Sequence, residues 1–149
     1  MRKEHFKLYA AIFPMIFNSE GQILLHRRQN TGYMDGYWDL AGTGHIDAGE
    51  TAREAVLREC REELAIEVSL EDLELVHTVH RVGQADDFPY LYLYFSVKQF
   101  RGQPQIMESR KNAELAWFAI DQLPPKMIPD RKIAVQKAMS GQAYDEWRT

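Results

Sequence analysis

The sequence predicts an α+β or mixed α/β fold, in which one central helix packs on a mixed β-sheet and a second helix lies near the end of the chain. Segments with the alternation or apolar content of β-strands occupy most of the sequence. A segment with a helix-capping signature interrupts them at mid-chain, and the last regular segment is again helical. A chain of 149 residues suits one domain, so we expect a single unit over residues 1–149.

The N-terminal segments predict a hairpin. Residues 6–17 are rich in aliphatic and aromatic side chains, which favours a strand that is broken or lies at an edge at Pro14. Turn-forming residues follow at 18–21, and residues 22–28 predict the returning strand. Residues 30–36 contain two glycines and an Asp-Gly pair, so we expect a loop there.

The central helix is predicted over residues 51–64, because Thr51 followed three residues later by Glu54 is the signature of a capping box. The other elements follow from similar local patterns. They are strand regions over residues 37–46, 73–82, 89–100 and 115–120, a turn at 121–123 and a helix over 131–140. Strands therefore dominate, and the central helix is expected to pack on a sheet.

Composition excludes several classes of protein. Cys60 is the sole cysteine, so no disulfide can form within the chain and a cytoplasmic location is expected. No apolar run reaches the roughly 18–20 residues of a membrane span, and residues 1–10 lack the apolar core of a signal peptide. The net charge of −4 argues against a nucleic-acid partner. We therefore expect neither a membrane nor a nucleic acid as partner.

The negative charge is concentrated in one segment. Residues 50–75 contain nine acidic and three basic side chains, so this segment alone carries −6. Two interpretations are open at this point. The segment is either a solvated acidic helix or a set of carboxylates gathered for a divalent cation, since hard cations prefer oxygen ligands.

The placement of the carboxylates on the helix favours the cation. At about 100° per residue, the core-facing stripe consists of Ala52, Val56, Cys60 and Leu64. Glu59, Glu62 and Glu63 lean towards its edge, whereas Arg58 points the opposite way. Carboxylates that face partly inwards repel one another and lose hydration unless a cation or a proton compensates them. Protonated or salt-bridged glutamates are the alternative to a metal site.

A glycine-rich loop precedes the helix. Its glycines allow a ligand to approach the backbone closely. Gly44, Gly49 and Thr51 nearly match the spacing of a Walker A phosphate-binding loop. Glu50, however, stands at the lysine position, where a carboxylate would repel phosphate, so the sequence excludes a P-loop nucleotidase.

The spacing of these residues resembles the Nudix box. The matching positions are Gly44, Glu50, Arg58, Glu59, Glu62 and Glu63. Two positions depart from the family pattern, since Cys60 replaces a larger aliphatic residue and Ala65 replaces a glycine. Glycine at such a helix end serves a left-handed turn that alanine adopts only at a cost, so the helix is expected to end differently. The resemblance implies an α/β/α sandwich.

The resemblance also implies a Mg²⁺-dependent hydrolase that cleaves a diphosphate linkage in a nucleoside diphosphate derivative, with Mn²⁺ as a substitute cation. Glu59 and Glu63 would be the principal metal ligands, assisted by Glu62 and by a backbone carbonyl around Gly44. A metal-activated water would attack phosphorus. The implied partners are a small-molecule nucleotide substrate and, at the family level only, a second copy in a homodimer.

Arg58 and Glu50 match the positions whose ion pair orients the metal-binding helix in the family. Together with Gly44 they form the structural part of the box. The residues assigned to catalysis by the resemblance are Arg58, Glu59, Glu62 and Glu63.

Further contacts are predicted outside the box. Family members often supply one more carboxylate from a later loop, and the candidates here are Glu108 first, then Asp86, Asp87 and Glu114. The candidates for substrate binding are Arg27, Arg28, His45 and Trp38. Arginines would contact phosphate, and an aromatic ring would stack on a nucleobase. The alternative is structural, with solvated loop charges and a tightly turned loop around residues 30–38.

Two functions compete with the hydrolase. A Nudix-fold sensor would bind a nucleotide without turning it over, but such a binder could lose the three box glutamates that this chain retains. A Nudix-type isomerase of prenyl diphosphates would need a second cysteine to pair with Cys60, and the sequence has none.

Overall fold

The computed structural model describes residues 3–83 and 88–148. The strands are β1 (Tyr9–Ile16), β2 (Ile23–Arg28), β3 (Trp38–Leu40), β4 (Gly44–His45), β5 (Leu73–Val82), β6 (Tyr90–Val97), β7 (Asn112–Phe118) and β8 (Tyr144–Arg148). The α-helices are α1 (Ala52–Leu64) and α2 (Pro129–Met139), and short 3-10 helices span Leu70–Asp72 and Ile120–Gln122. Within the described ranges, no helix combines the length and apolar character needed to cross a membrane.

The strands form two sheets. The larger has the order β4-β1-β6-β5-β8, and the smaller has the order β3-β2-β7. Pairing is parallel between β1 and β6 and between β5 and β8, and antiparallel between the other neighbours. Val56 of α1 belongs to the apolar cluster of Ile12 on one face of β1, and Val135 of α2 belongs to that of Phe13 on the other. A larger mixed sheet and a smaller antiparallel sheet, packed with two helices, confirm the predicted α+β sandwich.

The predicted hairpin of β1 and β2 is wrong. The two strands diverge into different sheets after one bridge between Phe17 and Ile23. Residues 11–16 of β1 are buried on both faces, as in strands with parallel neighbours. β1 therefore lies between β4 and β6, inside the larger sheet, whereas β2 belongs to the smaller sheet.

Pro14 occupies an edge-like position within β1 and does not break it. Even-numbered residues of β1 turn their backbone groups towards β4, since the carbonyl of Ala10 accepts a hydrogen bond from the amide of Ile46. Pairing with β4 ends at Ile12. The missing N–H of Pro14 therefore faces a side where no ladder bond is needed.

Two further elements differ from prediction. The strand region over residues 37–46 is divided between the sheets, with β3 in the smaller and β4 in the larger. β8 is absent from the sequence-based expectation, because its residues alternate between exposed and half-buried and include three charged side chains. An edge strand of this kind lacks the apolar pattern by which strands are detected.

The ends of α1 show one confirmed and one wrong expectation. The capping box is present, since Thr51 Oγ1 accepts from the amide of Glu54 at 3.2 Å and the Glu54 carboxylate accepts from the amide of Thr51 at 2.9 Å. The helix ends as a glycine would end it, because Ala65 adopts a left-handed conformation with φ 56° and ψ 33°. Burial of the following Ile66 holds the chain in this turn.

Replacing Ala65 with glycine is expected to stabilise the fold by about 1 kcal/mol, because a Cβ in the left-handed region costs roughly that much. The thermal midpoint should rise by about 2–4 °C for a chain of this size. Ala119→Gly is the matched control, since Ala119 has φ −65° and glycine there only adds freedom to the unfolded chain. Equal changes in the two variants would contradict the strain at Ala65.

Candidate functional site

The site begins where β4 crosses α1. Gly44 lies against the side chain of Glu59, and a Cβ added to Gly44 would overlap the Glu59 carboxyl group. The Glu59 side chain is buried and directed at β4 by this contact. Glycine is therefore required at position 44 for close packing, and its backbone is not in the left-handed region.

Arg58 connects the loop to the helix. Its Nε donates to Glu50 Oε2 at 3.0 Å and its Nη2 donates to Glu50 Oε1 at 2.8 Å, a two-point ion pair. Nη2 also donates to the carbonyl of His45 at 3.0 Å. The helical periodicity predicts that Arg58 points away from the core. Its side chain is nevertheless only 20% exposed, because the loop before α1 folds over it.

Arg58 also restrains two of the box carboxylates. Its Nη1 donates to Glu59 at 2.8 Å and to Glu62 at 3.3 Å. Glu62 is more exposed than Glu59, with 57% of its side chain accessible. The hydrogen bonds that Arg58 donates to Glu50 raise the pKa of Arg58, so this guanidinium stays charged.

Replacing Glu50 with glutamine is expected to remove a pH-dependent part of the stability. The hydrogen bonds from Arg58, and then that from the Asp47 amide, lower the pKa of Glu50 to about 2. A lowered carboxyl pKa stabilises the fold above the unfolded-state pKa, and this stabilisation is lost as the pH falls from about 5 towards 2. The thermal midpoint of the wild type should therefore fall more steeply over this range than that of Glu50→Gln.

The control for this titration is Glu71→Gln, which changes an exposed carboxylate outside the Arg58 network. Its thermal midpoint should follow the wild-type slope. Glu50→Gln should also have a lower midpoint at pH 7 and a smaller loss of kcat than a change at Glu63. Parallel slopes for Glu50→Gln and the wild type would show that the ion pair does not stabilise the fold.

Glu63 faces a cleft of about 500 Å³, and Glu108 lines the same cleft. The loop that carries Glu108 is attached to the end of α1, since the amide of Met107 donates to the Glu63 carbonyl at 3.2 Å and the amide of Gln105 donates to the Leu64 carbonyl at 3.0 Å. These two bonds bring the first-choice loop carboxylate beside the helix.

The carboxylates of the site lack full compensation by protein cations. Burial raises the pKa of Glu63, and the nearby Glu108 and Glu62 raise it further. Burial also raises the pKa of Glu59, against the lowering effect of Arg58. Converging carboxylates whose charge is disfavoured are the donor chemistry that a hard divalent cation stabilises.

The residues present therefore fit a divalent cation by their chemistry. Gly44 makes the space that Glu59 occupies, and Glu63 and Glu108 share one cleft. In the described part of the chain, no three His, Cys, Asp or Glu side chains already form a complete ligand set. The assignment of Glu59, Glu62 and Glu63 as ligands stays a prediction.

The candidates for substrate binding are divided by strand alternation. Arg28 and His45 line the cleft. Arg27 points to the opposite face of β2, where it pairs with Glu114 at 3.2 Å. Trp38, which is the register partner of Arg27, packs edge-to-face on Phe118. The structure therefore does not bring Arg27 or Trp38 to the cleft.

Other cleft residues were not anticipated. His26 lies two residues from Arg28 on β2, Asn112 is the first residue of β7, and Lys111 directly precedes it. Burial lowers the pKa of His26, which keeps its imidazole neutral at neutral pH. Strand alternation places His26 and Arg28 on the same face of β2, so the sequence contains the information needed to predict His26 as a cleft residue. No sequence pattern predicts that Lys111 lines the cleft. Asp86 and Asp87 lie outside the described residues.

Comparison with known proteins agrees with this arrangement. A family model described as the NUDIX domain matches residues 7–138. A putative 8-oxo-dGTP diphosphatase of Bacillus subtilis is 30% identical over 129 residues, which cover 87% of this chain and 78% of that protein. The crystal structure of a MutT NUDIX hydrolase from Burkholderia pseudomallei has a TM-score of 0.76 at 27% identity, covering 88% of this chain and 98% of the other.

A third relative, an uncharacterized Nudix hydrolase of Listeria innocua, is 33% identical over 87 residues. That match covers 57% of this chain and spans about half, 51%, of the relative. The family model, in contrast, extends over most of the chain and includes the whole of the box. The chain belongs to the Nudix hydrolase family.

Proposed function

We propose that this protein is a Mg²⁺-dependent hydrolase that cleaves a diphosphate linkage in a nucleoside diphosphate derivative. One observation supports it above the others: a single cleft is lined both by the carboxylates of Glu63 and Glu108 and by the basic side chains of Arg28 and Lys111. The carboxylates suit divalent cations, and the basic residues suit phosphate oxygens. A substrate with a metal-bound polyphosphate would satisfy both kinds of residue.

In this proposal Glu59 and Glu63 hold Mg²⁺, with Glu62 and the backbone around Gly44 assisting, and Mn²⁺ can substitute. When bound, the cation neutralises phosphate charge and makes a bound water more acidic. Glu108 lies in the cleft where its carboxylate can accept the proton that the water loses.

Arg58 acts on the position of these groups. It holds Glu59 and Glu62 on one side and Glu50 on the other. Arg28 and His45 are placed to contact the substrate in the cleft. Arg27 and Trp38 do not line the cleft, so they are not part of the proposed substrate-binding set. A single domain, a cytoplasmic location and a homodimer remain predictions.

The substrate panel covers three classes of nucleotide. The Bacillus relative suggests oxidised nucleoside triphosphates as one class to test, and dinucleotides and nucleotide sugars are the others. The experiment measures phosphate or pyrophosphate release from a panel of these compounds with Mg²⁺, with Mn²⁺ and with EDTA. We expect cation-dependent turnover of at least one compound, abolished by EDTA.

The competing function is a non-catalytic sensor. It predicts tight nucleotide binding, measured by calorimetry, without turnover of any compound in the panel. That combination would overturn the hydrolase proposal. Turnover that persists unchanged in EDTA would overturn the role of the cation.

A further inference from the structure

A buried carboxylate lies between two arginines beside the cleft. Asp39, on β3, is 2% exposed. Its Oδ2 lies 3.6 Å from Nη1 of Arg28, and its Oδ1 lies 3.3 Å from Nε of Arg131 on α2. Oδ1 also accepts a hydrogen bond from the amide of Leu40 at 2.7 Å. The carboxylate is therefore fixed by its own strand and shared by two cations.

Arg131 is held rigidly on its side of this cluster. Its guanidinium carbon lies 4.1 Å from the ring centroid of Phe13 and 5.0 Å from that of Tyr92. Its side chain is 11% exposed, and its buried Nε makes no hydrogen bond of good geometry in the described structure. The contact with Asp39 is thus mainly ionic, and Arg131 cannot swing out to solvent without leaving the aromatic rings.

Arg28 is held in a different way. Its Nε donates to the carbonyl of Tyr33 at 2.8 Å, and its guanidinium carbon lies 5.5 Å from the Tyr33 ring centroid. The contact with Asp39 restrains Nη1. Two arginines share one carboxylate, so the group of three carries a net positive charge. Arg28 lines the cleft, so it is the member of this group that a ligand in the cleft can contact.

We propose that Asp39, anchored by Arg131, is the positioning residue for Arg28, and that Arg28 held in this way contacts a phosphate group of the substrate. The identity of the ligand rests on the proposed function, whereas the coupling between Asp39 and Arg28 does not depend on turnover. Asp39 itself does not line the cleft, so its effect on ligand binding passes through Arg28.

The test is a double-mutant cycle read by binding of inorganic pyrophosphate with Mg²⁺, measured by calorimetry. Arg28→Ala and Asp39→Asn should each raise Kd about 10-fold, the order expected for losing or loosening one charge-assisted contact. The double variant should bind no more weakly than Arg28→Ala, because Asp39 then has no Arg28 to position. Arg53→Ala, which removes an exposed arginine of α1, should leave Kd unchanged.

Asp39→Asn leaves Arg131 buried without a counter-ion and can unfold the protein. Asp39→Asn combined with Arg131→Met removes both buried charges, and this pair should keep a near wild-type thermal midpoint. The combined variant should still show the 10-fold higher Kd, since Arg28 has lost its anchor. A purely structural role of Asp39 predicts normal binding in this stable variant.

Three results would overturn the inference: wild-type Kd in the combined variant, additive losses in the cycle, or no pyrophosphate binding by the wild type. A different pair of results would contradict the hydrolase proposal alone. No compound of the substrate panel would be turned over, while the double-mutant cycle read by pyrophosphate binding would still show coupling between Asp39 and Arg28.

Discussion

Replacing Gly44 with alanine is expected to lower kcat/KM by about 100-fold or more, since displacing a catalytic group by an ångström can cost that much. The added Cβ would overlap the Glu59 carboxyl group, so the Glu59 side chain must leave its position or β4 and α1 must move apart. The backbone at Gly44 suits any residue, so the loss comes from the contact and not from strained dihedral angles. Overpacking should also cost about 1–3 kcal/mol of stability.

Gly49→Ala is the matched control for this change. Gly49 has φ +84° with open space around it, so alanine there introduces backbone strain without touching Glu59. This variant should lose stability by about 1 kcal/mol and keep most of its activity. Steady-state rates and thermal midpoints of both variants separate the two effects. Equal activity losses would show that the Glu59 contact is not the cause.

Replacing Glu63 with glutamine is expected to lower kcat by about two to three orders of magnitude, because Glu63 is a proposed metal ligand and such a ligand contributes several kcal/mol of charge stabilisation. The stability of the folded state should not decrease. Burial and the adjacent Glu108 raise the pKa of Glu63, which means that its ionised form is disfavoured in the folded state. A neutral glutamine removes that penalty, so the thermal midpoint should stay equal or rise.

The measurements are kcat with a substrate from the panel, the thermal midpoint and the Mg²⁺ concentration at half-maximal rate. Glu71→Gln provides the control for loss of one carboxylate elsewhere on the surface. A wild-type value of kcat for Glu63→Gln would show that Glu63 is not a metal ligand. A lower midpoint would show instead that the ionised carboxylate stabilises the fold.

The elements predicted well are those specified by neighbouring residues. α1 begins at the capping box of Thr51 and Glu54, both of which are close in sequence. β6 was recognised from its alternation, although both of its faces are buried, with Tyr94 on one side and Phe95 on the other. Local patterns of this kind report the periodicity of an element and not its partners.

Strand pairing was predicted poorly, because it depends on residues far apart in the chain. β1 follows a turn that suits a hairpin, yet it pairs with β6 some 80 residues later. The same limit explains β8, whose place beside β5 is supplied by the parallel ladder from Thr78 and Tyr144 onwards. β1 is apolar on both faces, which favours a position in the centre of a large sheet. This preference outweighed the short turn to β2, which on its own favours a hairpin.

The sequence alone predicted Gly44, Glu50 and the helix glutamates as one candidate site, because their spacing is a local property of one loop and one helix. The tertiary structure determined which other side chains join them. Glu108 reaches Glu63 through backbone bonds from its loop to the end of α1. Arg28 enters the cleft and Arg27 leaves it because adjacent strand residues face opposite sides. Such contacts depend on packing between distant segments, which no local pattern encodes.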